Sequence, residues 1–176
     1  MPKSKVLFLG LGRMGFHMSA HLSKSKNIEL FIYNRSKKKE NDWLKDYKAK
    51  KFDFKNIINL KFDIIITCLK DDHSINQVTH NLLKSSCFHK NTIFIDHSTI
   101  SLSQVEKLNK LLNKNKIKFL DAPVTGGEEG AKNGKLSVMA GGNLSKFKLV
   151  LPIIKAYSKS VVLMGNTGSG QLAKFT

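Results

Sequence analysis

Lys5-Val6-Leu7-Phe8-Leu9-Gly10-Leu11-Gly12-Arg13-Met14-Gly15 decides how the rest of this chain is read. Val6 to Leu9 is an unbroken apolar run, too short for a helix and suited to a strand buried on both faces. It closes on Gly10-Leu11-Gly12-Arg13-Met14-Gly15, a GxGxxG pattern, and apolar residues then recur with helical spacing at Met14, Met18 and Leu22. Glycines at this spacing also mark plain turns, so the pattern alone is weak. Its place between a buried strand and a helix is what makes it a dinucleotide-binding fingerprint. Gly10 allows the tight turn, Gly12 lets the main chain approach a pyrophosphate, and Gly15 lets helix and strand pack closely. With Leu11, Arg13 and Met14 these residues form the cofactor loop. Free N–H groups and the positive end of the helix dipole at the helix start then favour the phosphates.

The next strand, Ile28 to Tyr33, runs into Asn34-Arg35-Ser36-Lys37. An NAD-preferring domain places Asp or Glu at the end of this strand, to accept hydrogen bonds from the ribose 2′-hydroxyl. Asn34 is uncharged, while Arg35 and Ser36 suit a 2′-phosphate. The expected cofactor is therefore NADP, with NAD as the alternative. The plainer reading of the same residues is a basic surface helix for which Ser36 is the N-cap.

Strand and helix patterns continue to alternate. Strands are expected at 62–69, 92–96, 117–120, 136–140 and 161–164, with helices at 36–50, 74–86, 101–115 and 147–157. This order predicts an α/β, Rossmann-like doubly wound fold: a mainly parallel sheet with helices on both faces. Residues 1–164 are read as the NAD(P)-binding domain. Residues 165–176 open a further, interdomain helix that stops after about two turns.

Composition narrows the function classes. Over 176 residues, 41% apolar and 24% charged is ordinary for a globular chain, and no apolar run approaches the roughly 20 residues of a bilayer span. The apolar stretch after Lys5 is too short for an export signal, and Cys68 and Cys87 sit in no CxxC pattern; a reducing cytoplasm is expected. His17 and His21 stand four apart without a third ligand, so no metal site is expected. The net charge is +17, but only Arg13 and Arg35 among the 30 basic residues are arginine. The lysines are spread along the chain without interleaved aromatics, so no specific nucleic-acid partner is expected.

Three later segments carry the chemistry. Asp96-His97-Ser98-Thr99-Ile100-Ser101 follows a strand, at the carboxyl edge where such sheets bind ligands. Asp121-Ala122-Pro123-Val124-Thr125-Gly126-Gly127-Glu128-Glu129-Gly130-Ala131 follows another, and Thr125, Gly126 and Gly127 can present a hydroxyl and main-chain N–H groups to a small carboxylate. The third is Gly165-Asn166-Thr167-Gly168-Ser169-Gly170-Gln171-Leu172-Ala173-Lys174.

On these motifs the chain resembles the β-hydroxyacid dehydrogenase family, which includes 3-hydroxyisobutyrate dehydrogenase, tartronate semialdehyde reductase and glyoxylate/succinic semialdehyde reductases. The resemblance runs from Gly10 to Lys174. It implies an NADP(H)-dependent oxidoreductase of short 3-hydroxy acids or semialdehydes. Thr125, Gly126 and Gly127 would form the substrate-carboxylate site, and Thr99 would lie against the nicotinamide half of the cofactor. Leu69 and Lys70 would line the cofactor through their backbone. Lys174 falls where the family keeps its catalytic lysine. An ammonium there can donate a proton to a developing alkoxide, and the amine can take one back in oxidation.

The sequence departs from the family at Thr125, where a serine is usual, and at Lys70, where a proline is usual. The family also continues into a helical C-terminal domain, which this sequence is expected to lack or to find in a separate helical chain. A non-catalytic cofactor-binding module, or half of a split enzyme, is the alternative. The sequence also shares a Gly-Gly-Glu-Glu-Gly-Ala stretch with 6-phosphogluconate dehydrogenase. His97-Ser98-Thr99 in place of that enzyme's Gly-Asn-Ser ranks it lower, and Lys174 argues against the imine reductases, which lack the lysine.

Overall fold

The computed structural model describes residues 2–57 and 59–176. The opening apolar run becomes β1 (Ser4–Leu9), the fingerprint loop follows, and α1 (Gly15–Ser23) begins at the third glycine. Then come β2 (Ile28–Tyr33), α2 (Lys37–Asp46), β3 (Lys50–Lys51), β4 (Phe62–Thr67), α3 (Asp72–Lys84), β5 (Phe88–Asp96) and α4 (Leu102–Lys114). The second half adds β6 (Lys118–Asp121), β7 (Val124–Thr125), α5 (Gly127–Lys132), β8 (Leu136–Gly141), α6 (Leu144–Ile154), β9 (Ser158–Gly165) and α7 (Ser169–Phe175). Among the described residues no helix is long and apolar enough to cross a membrane.

The sheet runs in the order β3-β2-β1-β4-β5-β6, all parallel, and is continued by β8 and β9. β8, with β9 parallel beside it, runs against the other strands: Asp121 pairs with Gly141, and β7 pairs Val124 with Val138 and Thr125 with Ser137. The fold is thus Rossmann-like, with a mostly parallel sheet flanked by helices. The chain overshoots the carboxyl edge of β6 along β7, turns through α5, and comes back down β8 to end level with Asp121.

Strict alternation along the parallel strands produces two cores. Val6, Phe8, Ile64, Ile66 and Ile95 point to one face, where Met18 and Leu22 of α1, Trp43 of α2 and Phe147, Val150 and Ile154 of α6 cover them. Leu7, Leu9, Ile65 and Phe94 point to the other, under Ile75 and Leu82 of α3 and Val105, Leu108 and Leu112 of α4. A strand buried on both sides cannot carry an apolar/polar period, which is why β1 and β4 read as continuous apolar runs.

Some local expectations need correction. Ser36 occupies the N-cap position of α2, but its side chain makes no capping bond. The turn is held instead by the buried Glu40, whose Oε1 accepts the Asn34 N–H at 2.7 Å and pairs with Lys37 Nζ at 3.0 Å. The glycine-rich stretch between β6 and β8, for which no strand or helix is expected above, contains β7 and α5. α3 starts at Asp72 because Asp71 caps it, accepting the Ser74 N–H at 2.8 Å.

Candidate active site

The fingerprint loop has the steric character its glycines imply. Gly10 has φ +107°, in the left-handed region, and a β-carbon there would collide with the carbonyl oxygen of Cys68 on β4's outgoing loop. One on Gly15 would collide with the Gly10 carbonyl oxygen, so α1 and β1 meet at this point. Around Gly12 no atom lies within 4 Å of the β-carbon position. Two glycines are thus filled against by the protein, and one faces open space.

That space belongs to a cleft of about 250 Å³ along the carboxyl edge of β1, β2 and β4. Gly10 and Gly12 form its floor, Asn34, Arg35 and Ser36 one wall, and Leu69 and Lys70 another. The cleft also takes in Tyr33, Lys39, Ser74, Gln77 and Val78, which sequence reasoning missed. Lys39 had a usable signal, since it falls in the first turn of the basic helix that follows Arg35 and Ser36. Among the described residues, no carboxylate lines this cleft, and Arg35, Lys39 and Lys70 give it a positive rim. Leu11 and Arg13 line a second hollow of about 360 Å³ that shares Gly12 and Lys39 with the first. Met14 and Gly15 lie behind the loop at the start of α1, and Thr99 is exposed at the carboxyl edge outside the cleft lining.

Asn34 has a structural duty as well. Its Oδ1 accepts the Leu11 N–H at 2.9 Å, so that amide is engaged by the protein. The Glu40 carboxylate therefore fixes the loop at second hand: it holds the Asn34 main chain, and the Asn34 side chain holds Leu11. The Cys68 thiol against the cleft is pushed up to about 12 by burial and by the nearby Asp96, and burial pushes Cys87 up to about 11. Both are free thiols.

The second half of the site lies beyond β5 and β6. Asp96 and Asp121 end these strands side by side in register. Asp96 is fully buried, and burial pushes its carboxyl up to about 6 against the pull of Ser98 and Thr67. Oδ1 accepts from Thr67 Oγ1 at 2.8 Å and from the Ser98 N–H at 2.9 Å, whereas Oδ2 has no partner. His97 is buried next to it, and burial lowers it to about 4. Its Nδ1 lies 2.6 Å from the Ala122 carbonyl and its Nε2 2.7 Å from Tyr157 Oη. A carbonyl only accepts, so Nδ1 carries the proton and Nε2 accepts from the tyrosine. His97 is thereby a neutral clip between β5 and the β6–β7 link.

α7 brings Lys174 to the segment that contains Thr125. Lys174 Nζ donates to the Val124 carbonyl at 2.6 Å, one residue before Thr125. Thr125, Gly126 and Gly127 are exposed, and both glycines have positive φ, +129° and +65°. The start of α7 is anchored to Asp121, whose Oδ1 accepts the Gly168 N–H at 2.6 Å and Oδ2 the Gln171 N–H at 2.9 Å. Gln171 is fully buried and donates from Nε2 to the Ser98 carbonyl at 2.6 Å. Ser98 Oγ in turn accepts the Leu69 N–H at 2.8 Å, which links this corner to the wall of the cleft. The two histidines of α1 also have local partners. His21 donates from Nε2 to the Ala131 and Lys132 carbonyls at 2.9 and 3.0 Å, and His17 lies 3.6 Å from Glu128.

The family described as the NAD binding domain of 6-phosphogluconate dehydrogenase matches residues 5–165. An uncharacterized oxidoreductase of Shewanella frigidimarina is 39% identical over 174 residues, covering 97% of this chain and 59% of that protein. The mitochondrial 3-hydroxyisobutyrate dehydrogenase of Drosophila melanogaster is 32% identical over 167 residues, covering 95% of this chain and 51% of that protein. Among solved structures, the Mycobacterium tuberculosis 3-hydroxyisobutyrate dehydrogenase with L-serine superposes with a TM-score of 0.87 at 27% identity, over 98% of this chain and 58% of that one. The chain therefore spans somewhat over half the length of the relatives it matches. It belongs to this family, as an NAD-binding domain of the β-hydroxyacid dehydrogenases.

Proposed function

We propose that the chain binds NADP(H) in preference to NAD(H) and serves an oxidoreductase that interconverts short 3-hydroxy acids and semialdehydes, with Lys174 as proton donor and acceptor. The observation that carries this is Lys174 Nζ at 2.6 Å from the Val124 carbonyl, next to the exposed Thr125-Gly126-Gly127 segment. In this reading residues 1–164 are the dinucleotide-binding domain and 165–176 open the helix that delivers the lysine.

The residues present fit a dinucleotide. Open space at Gly12 admits a pyrophosphate where a side chain would exclude it. Arg35, Ser36 and Lys39 favour a 2′-phosphate, and no carboxylate among the described cleft residues opposes one. When bound, the nicotinamide supplies or receives the hydride. The protein's own part is to hold and protonate. Thr125 Oγ and the main-chain N–H groups of Gly126 and Gly127 bind a substrate carboxylate. The Lys174 ammonium, already oriented by one main-chain carbonyl, donates a proton to the oxygen that gains charge during reduction. Thr99 and the Leu69-Lys70 main chain border the cofactor.

Calorimetry tests the first half. Heat is expected with both NADPH and NADH, the former binding about tenfold more tightly through charge-assisted contacts to the extra phosphate. Arg35→Ala is expected to bring the two affinities together; absence of heat with either dinucleotide removes the proposal. For the second half, hydride transfer to short semialdehydes is followed by NADPH absorbance, and Lys174→Met is expected to slow it by about two to four orders of magnitude. Dinucleotide binding without any transfer would favour a non-catalytic cofactor module.

A further inference from the structure

We propose that Asp121 is a positioning residue for Lys174, acting through the helix that carries it; this rests on the role given to Lys174 above. α7 has only seven residues, too few to be stable by itself. Its first turn carries no acidic residue and its N-cap, Gly168, offers no side chain. The N–H groups left free at such a helix start need acceptors. Asp121 supplies two, one on each carboxylate oxygen, from a strand end 47 and 50 residues away in sequence.

The approach is built into the packing. A β-carbon on Gly141 would lie 2.5 Å from Asp121 Oδ1, and one on Gly170 would lie 2.8 Å from Oδ2. Any larger residue at either place would push the helix off the carboxylate. The burial that raises the Asp121 carboxyl is countered by the amides of Gly168, Gln171 and Gly170, so the same contacts keep it an acceptor.

The geometry links this cap to the lysine at both ends of one hydrogen bond. Gln171 is the residue capped, and Lys174 follows it by three, on the same side of the helix. The acceptor of Lys174 is the Val124 carbonyl, three residues after Asp121 along the chain. Asp121 therefore holds donor and acceptor from a single point, and the position of the ammonium at the Val124 carbonyl is set by how α7 sits on this carboxylate. The Gln171 side chain on the Ser98 carbonyl fixes the rotation of the helix about that point.

The test reads Lys174 directly, in the intact chain. The ammonium resonance of Lys174 is assigned by its loss in Lys174→Arg, and its exchange with water is measured in the wild type and in Asp121→Asn, where the amide can accept only one of the two N–H groups. Protection of the Lys174 ammonium is expected to fall about tenfold, as for the loss of one net hydrogen bond, while NADPH affinity by calorimetry stays within about twofold, the cleft glycines being untouched. A cap that serves stability alone would lower the unfolding temperature and leave native-state Lys174 exchange as in the wild type, which overturns the proposal. Parallel loss of NADPH affinity also overturns it, because the whole edge would then have moved. If Asp121→Asn shows no cooperative transition in Trp43 fluorescence, Asp121→Ser, which keeps one acceptor in a smaller side chain, is measured in the same way. Failure of the underlying function is separate: wild-type chain that takes up neither dinucleotide withdraws the cofactor reading whatever Lys174 does.

Discussion

Asp96 and His97 are consecutive, buried and shifted in opposite senses. The Asp96 carboxyl stands at about 6 in the folded chain against 3.8 ordinarily, so its contribution to stability is complete below 3.8 and is lost as pH rises through about 6. His97 stands at about 4 against 6.5, so its contribution is complete above 6.5 and is lost as pH falls towards 4. Each is on the order of 3 kcal/mol, and the two slopes nearly cancel between pH 4 and 6.5. Urea midpoints of the wild type are expected to vary little across this window. Asp96→Asn should expose the histidine slope, with stability falling as the solution is acidified. His97→Asn, whose amide can still donate to Ala122, should expose the reverse. Parallel curves for all three proteins would show that neither group is held as described. None of this was readable from Asp96-His97-Ser98 in sequence, because both shifts come from burial under segments 25 to 60 residues away. The same distance hid Asp121 and Gln171 as anchors of α7. Lys174 itself was legible only through the motif around it, being one lysine among 28.

Within the β1–loop–α1 unit, the three glycines separate into two kinds, and substitution should separate them too. Gly12→Ala meets no atom within 4 Å and should leave the unfolding midpoint within about 0.5 kcal/mol, apart from a helix-start effect, while it abolishes dinucleotide binding. Gly15→Ala drives a β-carbon into the Gly10 carbonyl and is expected to cost about 1–3 kcal/mol of stability. Denaturation and calorimetry on the pair check this; equal loss of stability in both would mean that Gly12 is packed. This unit was fully legible because its signals are local: an apolar run, a glycine spacing, a helical period. β3, β7 and α5 were not, since strands of two residues and a six-residue helix exist by pairing with what lies beside them rather than by propensity. The α2 turn shows a finer limit. Ser36 has the right residue type and position for a cap, yet the buried Glu40 does the holding.

At the scale of the molecule, strand–helix alternation made the doubly wound architecture legible, and continuous apolar runs marked the strands buried on both faces. The mainly parallel sense of the sheet was legible with it, but the reversal at β8 was not, since an apolar pattern reads the same in either sense; it follows from the short overshoot along β7. The charge is spread over the whole surface, but the cleft concentrates Arg35, Lys39 and Lys70 at one rim. The advantage of NADPH over NADH should therefore shrink as salt rises from about 0.05 to about 0.5 M, over which the screening length falls from above 10 Å to under 5 Å. Titrations at both ionic strengths check it, and a salt-independent ratio would take the 2′-phosphate away from these side chains. The two cysteines sit one against each core, Cys68 beside the α1 face and Cys87 within the α3–α4 face, and neither ionises near neutrality. Cys87 has no exposed surface, so an alkylating reagent can reach it only when the α3–α4 layer lifts away, whereas the half-buried Cys68 is approached through the cleft it lines. Mass-resolved labelling would then time the breathing of the α3–α4 side at Cys87, and slower modification of Cys68 alone under saturating nucleotide would report the filling of the cleft without any loosening of that layer.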